Sequence, residues 1–198
     1  MRVNRMTDED MVLPIRLYGD PVLREETVEV DEDHDGLQDL IDQMIETMRG
    51  ASGLGLAAPQ VGRKERLFVV DLSPIADELE EKGISVPPQP MVLINPVIEA
   101  ETEELVEFEE GCLSIPEVRE VVTRPEGVDI RYFDRHFNER TLEADAMLAR
   151  VIQHEYDHLE GILFLDHVSA FRRQLLRRKL RAVRKGKMET DYPVEIPE

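Results

Sequence analysis

The chain has 198 residues, 41% of them hydrophobic, one cysteine and a formal net charge of −19. That length holds one domain with a proper core and leaves no room for a second full domain. The charge argues against wrapping nucleic acid over most of the surface and suits a soluble protein of the cytosol, although a high-salt setting would select the same balance.

Residues 1–13 form a ragged start, with Met1-Arg2-Val3-Asn4-Arg5 running into Asp8, Glu9 and Asp10. It has no signal-peptide core and is too acidic for a transit peptide. No apolar run approaches the roughly 18 residues of a membrane span, so a cytoplasmic location is expected. Leu17 to Leu23, with Gly19-Asp20-Pro21, reads as a turn and a short extended piece. From Asp35 the spacing of Leu37, Leu40, Ile41, Met44, Ile45 and Met48 predicts a packing helix, with Asp35 and Gln38 as a capping box and Gly50 as its stop. Gly53-Leu54-Gly55-Leu56-Ala57-Ala58-Pro59-Gln60-Val61-Gly62 is poor helix and poor strand. It reads as a loop whose small residues permit close backbone approach.

Arg66 to Leu72 reads as a buried strand, and residues 73–90, acidic and then proline-rich, as a surface loop. Met91 to Ile98 is a further strand interrupted at Asn95-Pro96. Glu99 to Glu110 alternates weakly and suits an exposed or edge strand. Glu120–Thr123, Val128–Phe133 and Arg140–Glu143 are strand candidates, with Asp134–Asn138 turning the last two into a hairpin. A central helix is expected from about Asp145 to Glu160, ending at Gly161. Strands followed by a helix point to an α+β domain, with mostly antiparallel sheets around that helix.

Phe171–Lys187 contains nine Lys or Arg and no acid. Phe171, Leu175, Leu176, Leu180 and Val183 give it the spacing of a basic amphipathic helix. It either docks on the acidic body or serves as an arm for phosphate backbones, in RNA or at an anionic membrane surface. The expected division is thus one catalytic domain over residues 1–170, the basic helix packed on it or extending from it over 171–187, and a frayed tail over 188–198.

The chemistry concentrates in Gln153-His154-Glu155-Tyr156-Asp157-His158-Leu159-Glu160-Gly161, which contains His-Glu-x-x-His. On a helix, residues four apart lie on one face, so two imidazoles can reach one metal ion. Glu155 is then held beside the ion without ligating it, able to take a proton from a bound water. Met147 and Val151 continue the same face as one wall of an apolar pocket, while Leu148, Ile152 and Leu159 fasten the other face to the sheet. A metzincin would carry a third histidine where Phe164 stands, and a thermolysin-like enzyme a downstream glutamate; after Glu160 none occurs until Glu189. The remaining soft ligand is Cys112, beside Gly111. Two His and one Cys leave a fourth position open, the pattern of a catalytic site.

With these motifs in hand, the chain resembles the peptide deformylases. Gly53-Leu54-Gly55-Leu56-Ala57-Ala58-Pro59-Gln60, Glu110-Gly111-Cys112-Leu113-Ser114 and Gln153–Gly161 occur in that family's order, within a likeness spanning roughly residues 13–170. The resemblance implies removal of the formyl group from N-terminal formyl-methionine of nascent chains. It implies Cys112, His154 and His158 as metal ligands and Glu155 as general base and then acid. Gln60 and the Leu113 N–H would be oxyanion donors, Gly55 a backbone contact to substrate, and Met147 and Val151 the lining of the methionine pocket. It favours iron(II), with nickel, cobalt or zinc in purified protein. The partners expected are the formylated nascent peptide and the ribosome, touched by Phe171–Lys187. A general metallopeptidase and a catalytically silent ribosome-binding protein are the alternatives; the first lacks its third ligand, and the second would leave Glu155 and Gln60 without a purpose.

Overall fold

Strand β3 (Leu67–Val70) is apolar at every position because both its faces are covered. Successive side chains point to opposite sides. Leu67 and Val69 pack with helix α1 (Leu37–Gly50), whereas Phe68 and Val70 pack with helix α3 (Ala146–Leu159). The neighbours repeat the division: Leu56 and Ile94 join the α1 side, Ala57 and Leu93 the α3 side. The computed structural model describes residues 12–197, so nearly all of the acidic start lies outside the described residues.

The sheet between these helices is antiparallel, in the order β2-β3-β4-β7-β8. Its other members are β2 (Gly55–Ala57), β4 (Met91–Glu101), β7 (Val128–Phe133) and β8 (Glu139–Ala144). A separate antiparallel hairpin, β5 (Leu105–Cys112) and β6 (Ile115–Pro125), lies on the far side of α3. A third core forms where Ile115, Val118 and Val122 of β6 meet Leu163–Leu165 and the C-terminal helix α4 (Ala170–Arg184). The protein is α+β, as expected.

Several local expectations are corrected. Helix α1 starts from Gly36 in the left-handed region at φ 77°, with no side-chain cap. Gln38 instead donates to the Arg135 carbonyl at 2.7 Å, so the Asp35–Gln38 capping box does not form. The glycine-rich loop contains strand β2, whose small residues are fully enclosed between the two helices. Within residues 73–90 a short helix, α2 (Ala76–Glu81), buries Leu79. The break at Asn95-Pro96 is a bulge inside one longer strand. Asn95 adopts φ 48° and pairs twice with the Val30 backbone, at 2.9 and 2.8 Å.

The C-terminal part departs furthest. The apolar stripe of α4 splits: Leu180 and Val183 are buried, but Phe171 is 70% and Leu175 60% exposed. Only the second half of the helix lies over the third core. Residues 188–197 do not fray. They turn back, and β9 (Val194–Glu195) pairs in parallel with β1 (Ile15–Arg16). Leu180→Ala should therefore lower unfolding free energy by about 2–3 kcal/mol, and Leu175→Ala by no more than about 0.5 kcal/mol, as read by chemical denaturation.

Candidate metal centre

Cys112 ends β5 at a bulge, where the register shifts between Gly111 and Cys112 and a two-residue turn, Leu113–Ser114, leads to Ile115. The thiol thereby meets α3 from the side opposite the main sheet. His154 and His158, one helical turn apart, present rings with centroids 5.2 Å apart and nearly perpendicular planes. Cys112 Sγ lies 3.3 Å from His158 Nε2. The ligand atoms of Cys112, His154 and His158 all fall within 4.8 Å of one another.

The His154 ring is aimed by its other nitrogen, Nδ1, which donates to Glu110 at 2.9 Å. One flank packs against Phe164, ring centroids 6.1 Å apart, so the position that would carry a ligand in a metzincin here wedges a ligand in place. Glu110 also accepts from Arg124, at 2.7 and 3.1 Å, and from Arg150 at 2.9 Å. Arg124 continues to Asp157 at 2.8 Å, and His167 joins Asp157 at 2.7 Å. Burial would raise the Glu110 carboxyl, but the bonds to His154 and Arg124 hold it well below the usual carboxylate range. Burial lowers His158, and the neighbouring His154 lowers it further; burial would lower His154 as well, but its hydrogen bonds with Cys112 and Glu110 raise it.

Glu155 is buried beside these ligands. Burial pushes its carboxyl up to about 7, against the pull of His154 and with the help of the Glu110 charge. Gly55 is the residue that makes room for it: a Cβ there would fall 2.5 Å from Glu155 Oε1. Gln60 is also buried. Its Oε1 accepts from the Ala57 N–H at 2.8 Å, which turns the amide NH2 towards Cys112 Sγ and Ser114 Oγ, each 3.4 Å away.

Gly55, Gln60, Cys112, Leu113, Met147, Val151, His154 and Glu155 line one cavity of about 1090 Å³. Of the residues singled out from sequence, His158 alone sits behind this wall. Residues 73–90 contribute Ile75, Glu78, Leu79 and Lys82 to the lining, and the C-terminal segment contributes Glu189 to Tyr192. Sequence reasoning missed the support of the ligands by Arg124, Arg150 and Asp157. A signal existed for Arg124, which shares the inward face of β6 with Val118 and Val122 at steps of two. Arg150 stands four residues before His154, on the face that bears the ligands.

These residues fit a metal ion. A thiolate and two imidazoles suit a divalent ion of intermediate softness. Their separations suit ligands standing about 2.0–2.3 Å from a common centre. Glu155 Oε2 is buried with no hydrogen-bond partner among the described residues, an acceptor left for something the cavity takes in.

The comparisons with known proteins agree along nearly the whole chain. The family model for polypeptide deformylase matches residues 12–174. A peptide deformylase of Salinibacter ruber is 61% identical over 184 residues, covering 93% of this chain and 94% of that protein. One from Christiangramia forsetii is 46% identical over 191 residues, covering 94% and 97%. The crystal structure of peptide deformylase from Ehrlichia chaffeensis superposes with a TM-score of 0.79 at 35% identity, over 88% of this chain and 98% of that one. That from Thermus thermophilus gives 0.76 at 43% identity, over 88% and 99%. Identity at this level over this coverage decides the matter, and the chain belongs to the polypeptide deformylase family.

Proposed function

We propose that the chain is a metal-dependent hydrolase that removes the formyl group from the N-terminal formyl-methionine of newly made polypeptides and releases formate. The observation that carries this reading is the convergence of Cys112, His154 and His158 on one point, at the wall of a cavity that Glu155 and Gln60 also line. Cys112 Sγ and one ring nitrogen of each histidine would hold the ion, which would supply Lewis acidity and lower the pKa of a bound water towards neutrality. Glu155 takes the proton as the water oxygen bonds to the formyl carbon, then hands it to the amine nitrogen as the C–N bond breaks. The Gln60 amide, fixed by Ala57, and the Leu113 N–H donate to the oxygen that becomes negative. Strand β2 is an edge of its sheet, so an extended peptide can add beside Gly55 by backbone pairing. Met147 and Val151 offer the apolar wall for the methionine side chain.

The finer assignments follow chemistry. Intrinsic affinity favours zinc over iron(II) at such a donor set, so the iron(II) we assign is selected by availability, with nickel, cobalt or zinc able to replace it in purified protein. The reaction is placed in the cytoplasm, where chains emerge and a lone Cys112 thiol persists. We assign a ribosomal RNA contact to the basic segment Phe171–Lys187. Arg173, Arg177, Arg181 and Arg184 recur along one face of α4 and, with Arg24, line a shallow cavity of about 640 Å³. Among the described helices, none is long and apolar enough to cross a membrane.

Formate release from a short formyl-Met peptide by iron-loaded protein tests the reaction. Wild type should release it, and Glu155→Ala should lower kcat by about 10²–10⁴; cleavage inside an unformylated peptide would instead identify a peptidase. Gln60→Leu should cost about 10²–10³ in kcat. Glu110→Gln should weaken metal retention about 10- to 100-fold in competition with a chelator, because His154 loses its charged acceptor. In sedimentation with ribosomes, Arg177→Ala with Arg181→Ala should reduce the slope of log affinity against log salt by about one to two. An unchanged slope would remove α4 from the contact.

A further inference from the structure

The C-terminal segment is threaded back to the catalytic cavity. The Ile15 and Leu17 N–H groups donate to the Pro193 and Glu195 carbonyls at 2.9 and 3.1 Å, and Arg16 pairs with Glu195 at 2.5 Å. This ribbon holds Tyr192 with its ring against the core beneath α1 and its hydroxyl donating to the Leu113 carbonyl at 2.8 Å. Thr190 Oγ1 donates to the Tyr192 carbonyl at 2.9 Å, which braces the strap itself.

The place of that bond matters. Cys112 pairs with Ile115 across the two-residue turn, so the peptide joining Leu113 to Ser114 is the central peptide of the turn. Rotation of such a peptide about its flanking torsions reverses the Leu113 carbonyl and the Ser114 N–H. The Leu113 N–H belongs to the preceding peptide, and an anchor on the carbonyl reaches it by fixing the place of the Leu113 Cα that the two peptides share. Tyr192 holds that carbonyl. The next one, on Ser114, accepts the Tyr18 N–H at 2.8 Å, again from the ribbon formed by β1 and β9. On another side, the Leu113 side chain lies so close to Gly53 that a Cβ there would fall 2.8 Å from Leu113 Cδ1. The turn is therefore pinned on both sides, although a carbonyl bordering an open cavity could have been satisfied by water. Burial pushes the Tyr192 phenol up to about 12, so it remains a donor at any working pH.

We propose that Tyr192 is a positioning residue for the deformylation, holding the Leu113–Ser114 turn so that the Leu113 N–H stays aimed at the reacting oxygen. The inference rests on the formyl-hydrolase reading for what the N–H does, and on the strap alone for what fixes the turn. The phenol never touches substrate in this role; it acts through the turn.

Tyr192→Phe, made in the full metal-loaded chain, keeps the ring packed and removes only the hydroxyl. Since an ångström of misplacement can cost up to about 10²-fold, kcat should fall about tenfold, with KM within about twofold of wild type and an unchanged thermal midpoint. Amide hydrogen exchange over residues 111–115 should quicken while the Ile15 and Leu17 amides stay protected. Glu195→Gln, which loosens the ribbon away from the turn, should leave kcat as it is. Unchanged kcat, a rise in KM alone, or unchanged exchange at the turn would each overturn the proposal. Should wild type release no formate, the formyl-hydrolase reading falls, while the exchange comparison still decides whether Tyr192 holds the turn.

Discussion

The carboxylate of Glu110, sunk among His154, Arg124 and Arg150, is the interaction on which the site depends. The four groups come from three elements: Glu110 from β5, Arg124 from β6, Arg150 and His154 from α3. Taking such charges out of water costs several kcal/mol for each ion and is tolerated only when every one is paired. Here the pairing is complete. Arg124 spans Glu110 and Asp157, and Arg150 also donates to the Val106 and Val122 carbonyls at 2.6 and 3.1 Å. Half of that network would be worse than an apolar contact, so the hairpin and the helix lock together as a unit.

That lock solves a geometric problem. The two histidines ride on a helix held by the main sheet, but the thiol rides on a hairpin outside that sheet. Hydrophobic packing alone has no direction and would leave the hairpin free to slide along α3. Charge-assisted hydrogen bonds are directional, and those that cross from hairpin to helix, Arg150 and His154 to Glu110 and Arg124 to Asp157, fix register as well as distance. Because Glu110 stands two residues before Cys112 on the same strand, the bond that aims the His154 ring also sets the height of the sulfur along the helix. The remaining wall is set by the absence of a side chain: Gly55 lets the edge of the sheet approach Glu155 closely enough to enclose its carboxylate.

Much of this was legible in the sequence. The four-residue spacing of His154 and His158 needs only helix geometry, and the apolar run of β3 needs only that both faces be covered. What resisted reading were places where tertiary burial overrules local preference. Gly55–Ala57 has the composition of a loop, yet an edge strand between two helices has room for little else. Arg124 and Glu120 alternate inward with valines, and a pattern of apolar residues cannot reveal that a buried position is charged because its partner lies on another element. Asp35 makes a plausible cap on paper, but Arg135, far along the chain, competes for Gln38 and for Asp42. The end of the chain carries no strong strand signal, since β9 is set by its pairing with β1.

The basic helix joins these themes. Two of its charges pair with the body: Arg172 with Glu120 at 2.8 Å and Arg173 with Asp166 at 3.9 Å, while Ser169 caps the first turn. Arg177, Arg178 and Arg181 have no ion pair among the described residues, in a chain with 43 acidic and 24 basic residues. In so acidic a protein, cations with no carboxylate within ion-pair distance among the described residues are a local choice of placement. The rigid spacing of a helix keeps them there, anchored by Leu180 and Val183 at one end and by Arg172 at the other. Such an arrangement presents positive charge outward at a fixed orientation to the body. An anionic partner bound along that face would then meet the catalytic cavity at a constant angle, since α4 leads directly into the strap that ends on Leu113.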